Sequence, residues 1–129
     1  MTIRTDISIG EFLDKISILE IKSQRMQGAQ KLANVRNELA ILQRLWRESP
    51  YADADISDAY QRLKAANEAL WKIEDDIRDL EAARCFDAKF IELARAVYVT
   101  NDQRAAIKKE INVALKSGLV EEKSYKEYR

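Results

Sequence analysis

Two long amphipathic segments separated by a short break constrain the fold of this chain most strongly. They run from Ser57 to Arg84 and from Asp87, which we interpret as an N-cap residue, to about Lys116. Apolar residues recur every seven positions along the first segment, at Ile56, Leu63, Leu70 and Ile77. Two long helices joined by so short a connection can pack only side by side in opposite directions. The sequence therefore predicts an antiparallel helical hairpin.

The composition favours long helices along the whole chain. Three Gly and one Pro leave few places where a helix must stop, and 34% charged with 47% hydrophobic residues is typical of amphipathic helices. We therefore expect an all-α, bundle-like fold in a single domain over residues 1–129. Its parts are a first hairpin at about 8–48, a second hairpin at about 56–117 and a tail at 118–129.

The charges and the missing residue types exclude several classes of function. The 22 basic and 22 acidic residues cancel, so we expect no binding to nucleic acid or to an anionic membrane. His is absent, and the D-x-x-D pairs Asp55/Asp58 and Asp76/Asp79 are interpreted as caps and surface charge, so we predict no metal and no cofactor. The chain lacks an apolar export signal and an apolar run of about 18 residues, which predicts a cytoplasmic protein without a membrane span.

The first predicted helix begins at a capping box. Ser8 and Glu11 have the S-x-x-E spacing, in which each side chain bonds a free backbone N–H group. Apolar residues then fall on one face of the helix, at Ile9, Phe12, Leu13, Ile16 and Leu19. Ile18 and Ile21 point the other way, so we expect this helix to contact neighbours on two sides.

The second predicted helix, at about 30–48, carries a narrow apolar seam that suits one neighbouring helix. The seam consists of Leu32, Val35, Leu39, Leu42 and Trp46. Ile41 and Leu45 lie off this seam and indicate a second contact surface. They face either the other hairpin or another protein chain, and we favour the other hairpin because exposed apolar patches on monomers are usually small.

The sequence leaves open whether the last helix is continuous. A single helical phase favours continuity, and it is held by Phe90, Leu93, Val97, Ile111 and Leu115. Residues 97–100 are rich in β-branched and aromatic side chains, and Thr100 with Gln103 could form a new capping box. The fold therefore has four helices, or five if the last helix breaks near Asn101.

Polar residues interrupt the apolar seam of the second hairpin at one level. If one helix ends near Arg84 and the next begins near Ala88, the turn between them is centred near residue 86. In such an antiparallel pair, residues whose numbers sum to about 172 lie opposite each other. Asn67 then faces Arg104, and Glu74 faces Tyr98 or Asn101. Buried charged groups must meet a partner, water or a ligand. The candidate site consists of Glu20, Asn67, Glu74, Arg78, Asn101, Arg104 and Lys108.

This polar band has two interpretations. In the first, a closed hydrogen-bonded network fixes the register of the helices, as polar core residues do in coiled coils. In the second, Arg78, Arg104 and Lys108 bind an anionic metabolite such as a nucleotide sugar or a phosphate ester. Asn67 and Glu74 would orient that metabolite.

We favour the first interpretation, in which the polar band is structural. The protein is then expected to be a non-enzymatic helical interaction or accessory module. Such a module would form a dimer through the off-seam faces of the first two helices, or would bind another helical protein. The alternative is a binder of an anionic metabolite or a small helical enzyme acting on it. No residue stands out as catalytic.

Several stretches resemble a family of small, uncharacterised all-α bacterial proteins. They are IGEFLDKISILEIK at 9–22, LANVRNEL at 32–39, Asn67 with LWKIEDDIR at 70–78, FD at 86–87, NDQRA at 101–105 and EEKSY at 121–125. The resemblance implies a protein that accompanies proteins of cell-surface polysaccharide or glycosyl transfer. Four inward residues of the candidate site lie in these stretches: Glu20, Asn67, Glu74 and Arg104. The stretches also include Lys15, Lys22 and Arg36.

Overall fold

The structure, a computed structural model, describes residues 1–128. These residues form four helices and no strand: α1 (Ile9–Arg25), α2 (Ala29–Glu48), α3 (Ser57–Ala82) and α4 (Ala88–Ala114). α1 pairs with α2 and α3 pairs with α4, which confirms the predicted all-α fold of two helical hairpins. None of the helices in this described range combines the length and the apolar character that a membrane crossing requires. Arg129, the last residue of the predicted tail, lies outside the described residues.

Two helices begin at the caps that the sequence predicts. The Ser8 hydroxyl oxygen accepts a hydrogen bond from the Glu11 N–H at 3.1 Å, as expected for the first half of a capping box. The Asp87 carboxylate accepts from the N–H groups of Lys89 and Phe90 at the start of α4. Each cap satisfies backbone donors that the helix itself leaves free.

α1 is the central element of the fold, because it packs against all three other helices. Its predicted apolar face joins residues of α3 and α4 in a core of Ile9, Leu13, Ile16, Leu63 and Ile111. Each such side chain contributes roughly 1.5–3 kcal/mol on burial. Ile21, which the periodicity places on the opposite side, is 1% exposed. The prediction that this helix contacts neighbours on two sides is confirmed.

α2 lies at the outside of the molecule and packs only against α1 among the described helices. Its predicted seam faces α1, with Val35 buried and Leu39, Leu42 and Trp46 against the core. Ile41 and Leu45 are exposed, at 43% and 44%. The expectation that they face the other hairpin is wrong, because α1 separates α2 from α3 and α4, and α2 has no second helical neighbour within residues 1–128.

The second hairpin has the predicted register. The Arg62 guanidinium donates from Nη2 to Glu110 Oε1 at 2.7 Å, and these two residue numbers sum to the expected value. α4 is continuous through Asn101, so the fold has four helices rather than five. The β-branched residues before Asn101 lower helix propensity by only tenths of a kcal/mol each, which the packing of α4 against α1 and α3 overrides.

Candidate functional site

The N-terminus of α1 is held by side chains from the end of α4 and from the residues that follow it. The Ile9 N–H donates to Ser117 Oγ at 3.1 Å, and the Gly10 N–H donates to Asn112 Oδ1 at 2.6 Å. The first N–H groups of a helix have no partner within the helix. These two bonds therefore fix the start of α1 against the end of α4.

Gly10 allows the close approach of the two helices. A Cβ atom at this position would lie 2.5 Å from the main-chain oxygen of Lys108 and 3.0 Å from Asn112 Oδ1. Real Cβ atoms do not approach backbone atoms so closely, so a larger residue would force α1 and α4 apart.

Glu121 connects the segment after α4 with this junction. Its carboxylate accepts hydrogen bonds from the Ser8 hydroxyl and from Asn112 Nδ2, the latter at 3.2 Å. Burial alone would raise the pKa of Glu121, but the hydrogen bond from Ser8 and the nearby charge of Lys108 outweigh it, so the pKa lies below its ordinary value. The ionised Glu121 thus holds the segment after α4 against the start of α1.

Asp14 is the centre of the polar band. Its carboxylate is 1% exposed and accepts from Arg104 Nε at 2.9 Å, from Arg104 Nη2, and from Asn67 Nδ2 at 2.8 Å. Asn67 Nδ2 also donates to Ser17 Oγ at 2.8 Å. The Asp14 carboxylate of α1 therefore joins α4 through a bidentate contact with Arg104 and joins α3 through a hydrogen bond from the Asn67 amide.

The contacts of Asp14 keep it ionised although it is buried. Burial disfavours the charged carboxylate and alone would raise its pKa. Hydrogen bonds from Arg104 and Asn67, together with the charges of Arg104 and Lys108, outweigh burial and hold the pKa of Asp14 below its ordinary value of 3.8. The hydrogen bond to Asp14 in turn raises the pKa of Arg104.

Two further ion pairs extend the band along α1. Lys108 Nζ donates to Glu11 Oε2 at one end of the band. At the other end, the Glu20 carboxylate accepts from the Tyr60 hydroxyl and from Lys64 Nζ, the latter at 2.9 Å. Burial and the Glu20 carboxylate raise the pKa of Tyr60, which stays protonated. Within residues 1–128, every buried side-chain nitrogen or oxygen has a hydrogen-bond partner.

The polar band differs from the predicted one in its centre. Asn67 and Arg104 lie at the same level, as predicted, but both bond Asp14 of α1 and the band lies between α1 and the second hairpin. The Glu74 carboxylate accepts from Arg78 Nε on its own helix at 3.1 Å, and in the described chain it makes no hydrogen bond with α4. The prediction paired only the residues of α3 with those of α4. It could not show that α1 packs against both helices and supplies Asp14, which explains the difference.

The seven predicted site residues do not line one common cavity. Asn67, Glu74 and Arg104 line a groove of about 340 Å³ between α1, α3 and α4. Asn101, Arg104 and Lys108 line a larger cavity of about 870 Å³ between α4 and residues 121–125. Glu20 and Arg78 line neither cavity and bond Lys64 and Glu74 respectively.

Sequence reasoning missed two residues of α1 and three residues at or after the end of α4 that form the polar band and the junction beside it. The missed residues are Asp14, Ser17, Asn112, Ser117 and Glu121. A signal was present: polar residues recur every third position from Ser8 to Ser17, and basic or amide side chains recur every fourth position from Arg104 to Asn112. Such rows place polar groups on one face of each helix.

The helices and the site define an all-α protein in which a central helix is joined to a helical hairpin through a polar network. Among residues 1–128, the buried nitrogen and oxygen atoms of its side chains all have hydrogen-bond partners. The chain belongs to a family of unknown function (DUF6165), whose sequence profile matches residues 3–128. A search of curated proteins returned no match. A search of solved structures likewise returned none.

Proposed function

We propose that this protein is a non-enzymatic helical interaction module that pairs with a second copy of itself through the outer face of α2. The observation that carries the proposal is the exposure of Ile41 and Leu45 on a helix that uses only its opposite face against α1. The ion pair between Asp14 and Arg104 supports a structural role for the polar band, because the two charges of its centre neutralise each other.

An apolar recess lies beside the exposed face of α2. It has a volume of about 180 Å³ and is lined by Leu45 together with Ile7, Phe12, Trp46 and Tyr51. Ile7 is itself 40% exposed. The exposed surface of α2 therefore continues into residues before and within α1, and a second helix laid on α2 would cover more apolar area than Ile41 and Leu45 alone.

The charges on α2 favour a second copy of this chain as the occupant. In an antiparallel pair with Ile41 against Ile41 of the second copy, Glu38 lies opposite Arg44 of that copy, since each is three residues from the centre. Both are exposed, and neither forms an ion pair in the described residues. The shifted pairing, with Ile41 against Leu45, would place Glu38 opposite Glu48 and is disfavoured by repulsion. The charges thus select one two-fold symmetric register.

Light scattering coupled to gel filtration, over a series of protein concentrations, tests the pairing. We expect a dimer for the natural chain and a monomer for the double variant Ile41→Glu with Leu45→Glu. Ile91→Glu is the matched control, because Ile91 is 56% exposed on α4 and remote from α2. A natural chain that stays monomeric at every concentration would overturn the proposal.

Charge reversal tests the register. Glu38→Arg alone and Arg44→Glu alone should each weaken the dimer, because each places like charges opposite each other. The double variant should restore the dimer, since both ion pairs re-form with reversed sign. Dimers of equal strength in all four proteins would contradict this register.

A role beside proteins of surface-polysaccharide or glycosyl transfer, a bacterial origin and a cytoplasmic location belong to the same proposal. The family match names no activity, so these points remain predictions.

A further inference from the structure

The groove between α1 and α3 has the size and lining of a site for a small molecule. Its volume of about 340 Å³ is at the lower end of the range for ligand pockets. Ile18 and Ile21 form one wall, and Leu70 and Trp71 form the other. Trp71 is half-buried and stacks on no other ring within the described residues. The groove can therefore accept an aromatic ring beside the indole of Trp71.

Charged groups of both signs line the same groove and lack partners. Lys22 of α1 and Asp75 of α3 border it, and in the part of the chain that the structure describes neither side chain makes a hydrogen bond or an ion pair. Glu74, beside Asp75, is already bonded to Arg78. The unpaired charges of the groove are thus one ammonium and one carboxylate, on opposite walls.

Arg104 adds a donor to the floor of the groove. Its Nε and Nη2 bond Asp14, whereas Nη1 makes only a long contact of 3.4 Å with Asn101 Oδ1. A guanidinium has five N–H donors. Arg104 therefore keeps donor capacity for an acceptor in the groove while remaining held by Asp14.

We propose that this groove binds a small aromatic zwitterion, with its carboxylate on Lys22 and Arg104, its ammonium on Asp75 and its ring on Trp71. A simple anion would satisfy Lys22 but leave Asp75 unpaired and close to negative charge. A molecule with both charges and one ring matches every unpaired group of the groove. The site is independent of the α2 face and of the proposed pairing.

Isothermal titration calorimetry with three compounds that share one ring tests the proposal. The compounds are L-phenylalanine, 3-phenylpropionate, which lacks the ammonium, and 2-phenylethylamine, which lacks the carboxylate. We expect L-phenylalanine to bind most tightly and each single-charge compound to bind about tenfold more weakly, as for the loss of one hydrogen-bonded charge contact.

Two variants assign the charges to residues. Lys22→Gln should weaken L-phenylalanine and 3-phenylpropionate about tenfold and leave 2-phenylethylamine unchanged. Asp75→Asn should weaken the binding of L-phenylalanine and 2-phenylethylamine about tenfold and leave the binding of 3-phenylpropionate unchanged. Lys15→Gln and Asp79→Asn are the matched controls, because both residues are exposed on the same helices and line no part of the groove.

Three outcomes would overturn the proposal. The first is no binding of any of the three compounds. The second is binding of L-phenylalanine that Lys22→Gln and Asp75→Asn leave unchanged, which would place the site elsewhere. The third is binding of 3-phenylpropionate as tightly as L-phenylalanine. Equal affinities would show that the ammonium group contributes nothing to binding and that the groove does not select a zwitterion.

Discussion

α1 packs against α2 through apolar side chains, whereas its contact with α4 combines apolar packing with hydrogen bonds to backbone groups and with ion pairs. The α1–α2 contact is a seam of residues such as Leu39, Leu42 and Trp46. The α1–α4 contact contains the Gly10 N–H bond to Asn112 and the Asp14–Arg104 ion pair. Apolar contacts are non-directional, while hydrogen bonds require a particular geometry. Both interfaces therefore supply burial, and the hydrogen bonds of the second also fix which residues lie opposite each other.

The largest expected effect comes from the charge at the centre of the second interface. Asp14→Asn keeps the size of the side chain but leaves the Arg104 guanidinium without its counter-charge. We expect a loss of about 3 kcal/mol in the free energy of unfolding, measured by urea denaturation. Asp58→Asn is the control, since its ion pair with Arg62 is exposed and its loss should change stability by less than about 1 kcal/mol. Similar values for both variants would contradict the distinction between the interfaces.

Acid should remove part of the same stabilisation. The pKa of Asp14 is lower in the folded state than its ordinary value of 3.8, so the unfolded chain binds this proton more readily. The contribution of Asp14 is therefore present above pH 3.8 and is lost as the pH falls through the folded-state pKa. Unfolding free energies measured over a pH series should fall less steeply in this range for Asp14→Asn than for the natural chain. Parallel curves would show that Asp14 does not carry this dependence.

The backbone contact of the same interface gives the next effect. Gly10→Ala would gain about 1 kcal/mol from helix propensity, but its Cβ atom would clash with the Lys108 carbonyl oxygen. We expect a net loss of about 1–3 kcal/mol in thermal or urea unfolding. Gly118→Ala is the matched control, because no heavy atom of the described residues lies within 4 Å of the added Cβ. A gain in stability for Gly10→Ala would show that the helices separate without cost.

The smallest effect is expected in the apolar seam between α1 and α2. Leu42→Met conserves volume and should cost less than about 1.5 kcal/mol, because neighbouring side chains can repack. The comparison with Asp14→Asn, which also conserves volume, isolates the difference between apolar and charged contacts. A loss for Leu42→Met that exceeds the loss for Asp14→Asn would reverse the comparison.

The positions of the helices and their internal faces could be predicted from the sequence, because they follow from local periodicity and caps. Ser8 caps α1 and Asp87 caps α4 as expected, and the Arg62–Glu110 pair lies in the predicted register. The site was predicted in part. Asn67 and Arg104 do point inward at one level, but Asp14 resembled an ordinary surface charge beside an apolar face.

The sequence by itself determined the amphipathic segments of two hairpins and a polar level within the second hairpin, but it left open whether the last helix is continuous. Only the tertiary structure decided that α1 is the central helix, that α2 remains outside with Ile41 and Leu45 exposed, and that Asp14 joins Asn67 and Arg104. The physical reason is that periodicity gives the face on which a side chain lies. It does not say which helix covers that face, because this depends on how the hairpins pack and on whether a close approach such as that at Gly10 is possible.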